Sequence, residues 1–190
     1  PRQKMIGLMY LVLMAMLALN VSKDILESFV QVNTSLENSM ANSKSKNDAL
    51  YAQFALDHQL DPKRVAPFFN NATVARQKSE DLLVYIDALK RELIQATDKL
   101  TDEQADTTEL DEVFAKDNFD VPTNIMIGLS EDGSAGKSLE LRQKIEAFRA
   151  EMKQLVPKEE QENFDLGLHL EGSVKDGKEL NWEMTTFDHT

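Results

Sequence analysis

Hydrophobic and polar positions follow three successive regimes along this chain. Met5 to Leu19 is an unbroken apolar run without a charge, and Tyr10 is its one polar-tipped side chain. From Leu26 to Phe54 the apolar residues thin to a stripe of Leu26, Phe29, Leu36, Met40, Leu50 and Phe54. Their spacing alternates between three and four, and Asn33, Ser43 and Asn47 stand at the same phase. With no glycine or proline between Leu8 and Asp61, one long helix is expected here. The polar interruptions either fix register against a partner or mark a break near Asn42 to Asn47. The third regime is a set of shorter amphipathic segments.

Asp61-Pro62 should end the long helix and open a short one, with Asp61 as N-cap and Pro62 in the first turn. Residues 71–100 then carry a second stripe: Ala75, Leu82, Ile86, Leu89, Leu93, Ala96 and Leu100. Thr101 with Gln104 matches a capping box, opening a helix to about Lys116. Asp117 to Gly136 is the least regular stretch, with Ile125-Met126-Ile127 expected as loop residues tucked into the core. Ser138 is expected to cap a further helix buried along Leu141, Ile145, Phe148, Met152 and Leu155, which Pro157 stops or restarts. From Leu166 to Phe187 the pattern moves toward alternation around Asp176-Gly177, a hairpin signal.

The fold class is therefore all-α: a single transmembrane helix (residues 1–23 with its cytoplasmic flank), then an elongated antiparallel helical bundle (24–190) with a small β-hairpin near its C-terminus. The long apolar faces serve either as intrachain core or as a dimer seam.

Extending the apolar run through Asn20, Val21 and Ser22 gives 18 residues, about 27 Å at ~1.5 Å rise per residue. That spans a thin hydrocarbon core if Arg2, Lys4 and Lys23 snorkel at its ends. A secretory signal peptide fits less well, because no A-x-A-like site follows; the chain reads Ala18-Leu19-Asn20-Val21. A core helix fits least, since the run is apolar on every face. Basic residues precede the run, which places the N-terminus in the cytoplasm and the bulk of the chain in the periplasm.

Charge sharpens the division. The chain has 21 basic and 33 acidic residues, net −12. Arg2, Lys4 and Lys23 are the only charges in residues 1–23, so the rest holds 18 basic and 33 acidic residues, net −15. Such a surface repels nucleic acid. There is no cysteine, which excludes disulfides and thiolate metal sites and suits an oxidising compartment. Pro1 in place of an initiator methionine, and an end at Thr190 without a helix stop, read as a fragment at both ends.

Catalytic chemistry finds little support. Gly133 to Ser138 resembles a phosphate loop, but Glu131 stands where its first glycine is needed. His58, His169 and His189 share no metal-ligand spacing and read as surface or interfacial residues. The acidic pairs Asp102-Glu103 and Glu159-Glu160 suit helix starts. No EF-hand occurs. We expect a non-enzymatic chain without metal or cofactor.

The segments Pro1-Arg2-Gln3-Lys4-Met5-Ile6, Met9-Tyr10-Leu11-Val12-Leu13 and Ala15-Met16-Leu17-Ala18-Leu19-Asn20-Val21-Ser22-Lys23 resemble the amino-terminal signature of the GldM/PorM family. These are the gliding-motility and type IX secretion inner-membrane proteins of Bacteroidota. The resemblance implies a homodimer whose anchor helices sit inside a ring of GldL/PorL-type subunits, forming a proton-driven, rotary motor. Later β-rich domains would deliver work to outer-membrane components. It sets the family's arginine on Arg2 and its anchor tyrosine on Tyr10, as the ion-coupling and partner-helix contacts. The span itself has no Asp or Glu, so the titrating carboxylate must come from a partner helix. The plainer reading is that Arg2 sets topology and Tyr10 meets lipid. The rival function is a single-anchor periplasmic scaffold or sensor that binds a protein or ligand.

Overall fold

The computed structural model describes residues 2–130, 132–175 and 177–188, with the side chains of 16–24 left aside. It is mostly helical, with one small two-stranded sheet. In order, the elements are α1 (Arg2–Leu60), α2 (Pro62–Asp98), α3 (Asp102–Ala105), α4 (Asp120–Met126), α5 (Lys137–Leu155), β1 (Ser173–Lys175), β2 (Lys178–Leu180) and α6 (Trp182–Phe187). The chain divides into two compact units, residues 1–52 and 53–190. The expected domain boundary at 23/24 falls inside α1.

The first unit is helix alone. α1 passes through Asn42 to Asn47 without a break, so the polar interruptions of its stripe are not helix ends. Its Ser and Thr side chains turn back on their own helix: Thr34, Ser35 and Ser39 bond the carbonyls of Val30, Gln31 and Ser35. Those bonds satisfy the hydroxyls by sharing carbonyls that the backbone ladder already uses.

The second unit is built around α2 and α5. The Asp61 side chain accepts the Arg64 N–H at 3.3 Å, with Pro62 at N1. The helix so opened is not short. It runs through Pro67 and joins the expected 71–100 helix. Pro67 removes one ladder bond and crowds the carbonyl of Lys63, but packing on both sides of it outweighs that loss. Buried Val65 precedes it, and Phe69 meets Phe54 edge-on at 5.5 Å and His58 face-on at 4.7 Å. α2 ends at Lys99, a left-handed residue whose N–H bonds Gln95 O.

α2 and α5 lie antiparallel, as a ladder of contacts shows. Asn71 donates to Leu155 O at 3.0 Å, Lys78 pairs with Glu151 at 3.1 Å, Lys144 sits 4.5 Å over the Tyr85 ring, and Lys137 pairs with Glu92 at 3.6 Å. The α2 partners recur every seventh residue, the repeat of two helices crossing at a shallow angle. These pairs are half-exposed and hold alignment more than stability. Beneath them Leu89, Met126, Ile127 and Met152 are buried. Leu141, Ile145, Phe148 and Leu155 line the same side of α5, half-buried as the stripe requires.

Several expected boundaries move. The Thr101–Gln104 capping box forms in both directions, yet α3 is four residues long and does not reach Lys116. Side chains take over the backbone groups that a longer helix would use. Thr107 and Thr108 bond Gln104 O, while the Asp98 carboxylate accepts the N–H groups of Phe114 (2.6 Å) and Ala115 (2.9 Å). Ile125 and Met126 belong to a short helix, α4, rather than a loop; Met126 and Ile127 are buried as expected. Pro157 stops α5 after an extended Val156, and Glu159-Glu160 then lie in turns rather than at a helix start.

The hairpin forms as its Asp-Gly signal requires. Ser173 pairs with Leu180, Val174 with Glu179 and Lys175 with Lys178, and Gly177 takes φ 78°. Helix α6 follows it and was not legible as a helix; the Asn181 side chain caps it by accepting the Met184 N–H at 3.0 Å.

Candidate functional site

Three surfaces carry the chemistry open to this chain. The first is the start of α1. Arg2, Lys4 and Tyr10 all stand exposed there, Tyr10 at 65 %. Eight residues separate Arg2 from Tyr10, about 12 Å of rise and about 80° of rotation, so both can face one neighbour without touching each other. Around them Met5, Ile6, Leu8, Met9, Leu11, Val12, Leu13 and Met14 are also exposed. Among the described residues no helix is long and apolar enough to cross a membrane. The side chains of residues 16–22, the second half of the expected span, and of Lys23 lie outside the described ones.

The second surface is the stripe on the rest of the first unit, where Phe29, Leu36, Met40 and Leu50 are all more than half exposed. Large apolar side chains aligned on one helix face and left in water mark a contact surface.

The third is the end of the bundle where α4, α5 and α6 meet. Ser138 is completely buried and does not cap α5; Gly136 is the N-cap residue and makes no side-chain bond. The Ser138 hydroxyl instead donates to Met126 O at 2.5 Å, tying α5 to α4. A Cβ on Gly136 would lie 2.0 Å from the same carbonyl, so only glycine fits. Lys137 is engaged by Glu92. The phosphate-loop likeness thus dissolves: its hydroxyl is a buried brace, its lysine is paired, and Glu131 lies outside the described residues.

At the same end Glu183 is 2 % exposed, and both of its carboxylate oxygens sit 3.3 Å from Arg142 Nη1. Arg142 also bonds Glu146 at 3.0 Å. Its guanidinium pKa is raised, first by Glu146 and further by Glu183, with partial burial working against both. Asn181 reaches Asp132 O at 2.6 Å, and Thr123 reaches Phe187 O at 3.4 Å. Together these bonds clip the C-terminal segment to the bundle. No sequence signal announced Glu183, because an acid in the first turn of a helix ordinarily faces water.

Tyr85 is a different case. Its hydroxyl is shut from solvent and makes no well-formed hydrogen bond among the described residues. Burial first, then the charge of Glu140, a weak hydrogen bond to that carboxylate and the charge of Glu92 push its pKa up to about 12. Asp132, fully exposed, is held below the ordinary carboxylate range by the Ser134 hydroxyl and N–H and by Ser130; it stiffens a loop. A cleft of about 220 Å³ lies among Glu146, Arg149, Lys153, Phe164 and Asp165. Its acids and bases offset one another. His58 stacks on Phe69, and His169 stands 3.9 Å from both Asp165 and Glu171; His189 lies outside the described residues. No group of three metal-ligating side chains gathers among the described residues.

A family profile described as the GldM N-terminal domain matches residues 24–190. The chain belongs to the GldM family. No curated protein matches it. Membership associates the chain with the gliding-motility and type IX secretion machinery. The family match covers the stripe of α1 from Leu26 onward and the whole bundle. Arg2, Lys4, Tyr10 and Lys23 precede it.

Proposed function

We propose that this chain is the dimeric inner-membrane subunit of a proton-driven rotary motor that energises type IX secretion and gliding. In this reading the start of α1 spans the membrane with Arg2 on the cytoplasmic side, and the bundle stands in the periplasm. Two such spans sit inside a ring of GldL/PorL-type subunits. The bundle passes work toward outer-membrane components through the later domains that the resemblance implies. The observation that carries the reading is the joining of a GldM-family domain to an apolar run with no carboxylate of its own.

The chemistry follows from that missing carboxylate. A proton-driven step needs a group that gains and loses charge within the membrane, and the ring must supply it. A pair of spans inside a ring of more than two subunits cannot meet every ring carboxylate equivalently at once. Arg2 attracts those that are ionised. Protonating one removes its attraction and lets the ring step past, while Tyr10, on a neighbouring side of the helix, offers a hydroxyl to the same partner.

Arg2→Gln and Tyr10→Phe test this in the intact system. Arg2→Gln should abolish secretion and gliding while the complex still assembles; unchanged assembly, secretion and motility would sink the reading. A tether of the scaffold or sensor kind would tolerate both changes and would not purify with a multi-span partner at a fixed unequal ratio.

A further inference from the structure

We propose that residues 25–50 of α1 form a parallel, in-register two-stranded coiled coil with a second copy of the chain, keyed by Asn33 and Asn47. The proposal rests on the dimeric reading above and deepens it by assigning the seam. The stripe divides into two heptad phases. Leu26, Asn33, Met40 and Asn47 occupy position a, and Phe29, Leu36, Ser43 and Leu50 occupy position d. The repeat is held without a skip across the segment, as a supercoil requires. Apart from the half-buried Leu26, its large apolar members are exposed, Phe29 at 68 % and Leu50 at 67 %. The next a residue, Phe54, is already covered by Phe69.

The polar positions choose the partner and its direction. In a parallel pair in register, a faces a and d faces d. Asn33 then meets Asn33, Ser43 meets Ser43 and Asn47 meets Asn47, and each amide both donates and accepts across the seam. Sliding one strand by a heptad sets both asparagines against Met40. Sliding it by two heptads pairs Asn33 with Asn47 once and shortens the seam. An antiparallel pair sets a against d, where Ser43 is the one polar residue, so at least one asparagine of each strand loses a polar partner. A buried asparagine facing an apolar residue forfeits its hydrogen bonds, and a lone a-position asparagine is a known device for fixing register and strand number. Asn33 is already oriented: one of its amide N–H groups donates to Glu37 at 2.8 Å, leaving the carbonyl and second N–H for its twin.

The flanking positions agree. In the parallel pair Ile25 meets Val30, Val32 meets Glu37, Ser39 meets Lys44 and Lys46 meets Tyr51. None of these pairs opposes like charges, and the first extends the apolar contact.

The chain has no cysteine, so single cysteines test the seam cleanly. Leu36→Cys, Ser43→Cys and Leu50→Cys are made one at a time in the full chain, in membranes, and oxidised. Each should cross-link to its own twin. Cross-linking at one of the three at most, as an antiparallel pair allows, or capture of a different protein by the cysteine, would overturn the proposal. Asn33→Leu with Asn47→Leu should raise the thermal midpoint and let Leu36→Cys link to Ser43→Cys in mixed dimers; an unchanged cross-link pattern would overturn the keying role. Co-purification with a multi-span partner is scored on the same samples. A retained partner without cross-links sinks the seam alone, and cross-links without a partner sink the motor reading alone.

Discussion

Arg142 and Glu183, 41 residues apart in sequence, form the one contact among the described residues in which a buried carboxylate is paired with a guanidinium. Glu183 is 2 % exposed while one third of the Arg142 side chain still reaches water. Removing Arg142 strands an uncompensated charge, a change that costs more than the pair itself contributes. Arg142→Ala should destabilise the bundle by about 2–4 kcal/mol, less than a fully buried pair because water partly screens the arginine. Glu183→Gln should cost less than half as much, and Arg142→Leu with Glu183→Leu should recover most of the loss. Urea unfolding of the four proteins checks this; equal costs for Arg142→Ala and the double variant would show that the charge is not the cause.

Tyr85 carries the opposite expectation. A buried hydroxyl without a well-formed hydrogen bond gains little from its burial, so Tyr85→Phe should leave stability unchanged or raise it by about 1 kcal/mol. The folded pKa is raised above the ordinary phenol value of 10.0 to about 12, so folding favours the neutral form. That contribution is fully present below pH 10 and is lost as pH rises through 12. Ultraviolet titration of tyrosinate should show one late-ionising phenol near pH 12, and Tyr85→Phe should abolish it.

Asp98 decides the shape of the segment after α3. Its two oxygens hold the N–H groups of Phe114 and Ala115, two donors that would otherwise have to find water or a helix. Asp98→Ala should cost about 1–3 kcal/mol and speed hydrogen exchange at residues 114 and 115 before any global unfolding. Protection left intact at those two amides would contradict the assignment.

Gly136 is required for contact and not for a positive φ. Its missing Cβ is what lets α5 approach the Met126 carbonyl. Gly136→Ala should therefore cost at least ~1–3 kcal/mol through backbone displacement and should also weaken the Ser138 brace beside it. Gly167, with open space around it, provides the comparison: there alanine meets only the strain of φ 67°. Thermal midpoints of the two variants, with Gly136→Ala clearly lower, are the check.

What was legible in the sequence was what local chemistry decides. The Asp176-Gly177 pair announced the hairpin, Asp61-Pro62 the start of α2, and the absence of glycine and proline the unbroken α1. What was not legible depended on contacts distant in sequence. Thr101 and Gln104 form their capping box, yet Asp98 and Thr107 divert the chain after one turn. Ser138 has a cap residue's identity, but Gly136 holds the cap position and a carbonyl 12 residues back claims the Ser138 hydroxyl. The helix opened by Asp61-Pro62 was expected to be short, yet it passes through Pro67, which the packing around it overrides. Glu183 gave no signal, since its burial depends on Arg142 arriving from α5. At the start of α1 the family resemblance named Arg2 and Tyr10, and the structure leaves both exposed.

The central claim is an unequal assembly, two copies of this chain inside a larger ring of a multi-span partner. Native mass spectrometry of the detergent-extracted complex tests it most directly. The account predicts two copies of the chain with more than two copies of one multi-span partner, a ratio that stays fixed in Arg2→Gln. An equal ratio, or a chain that leaves the membrane without any such partner, would contradict it.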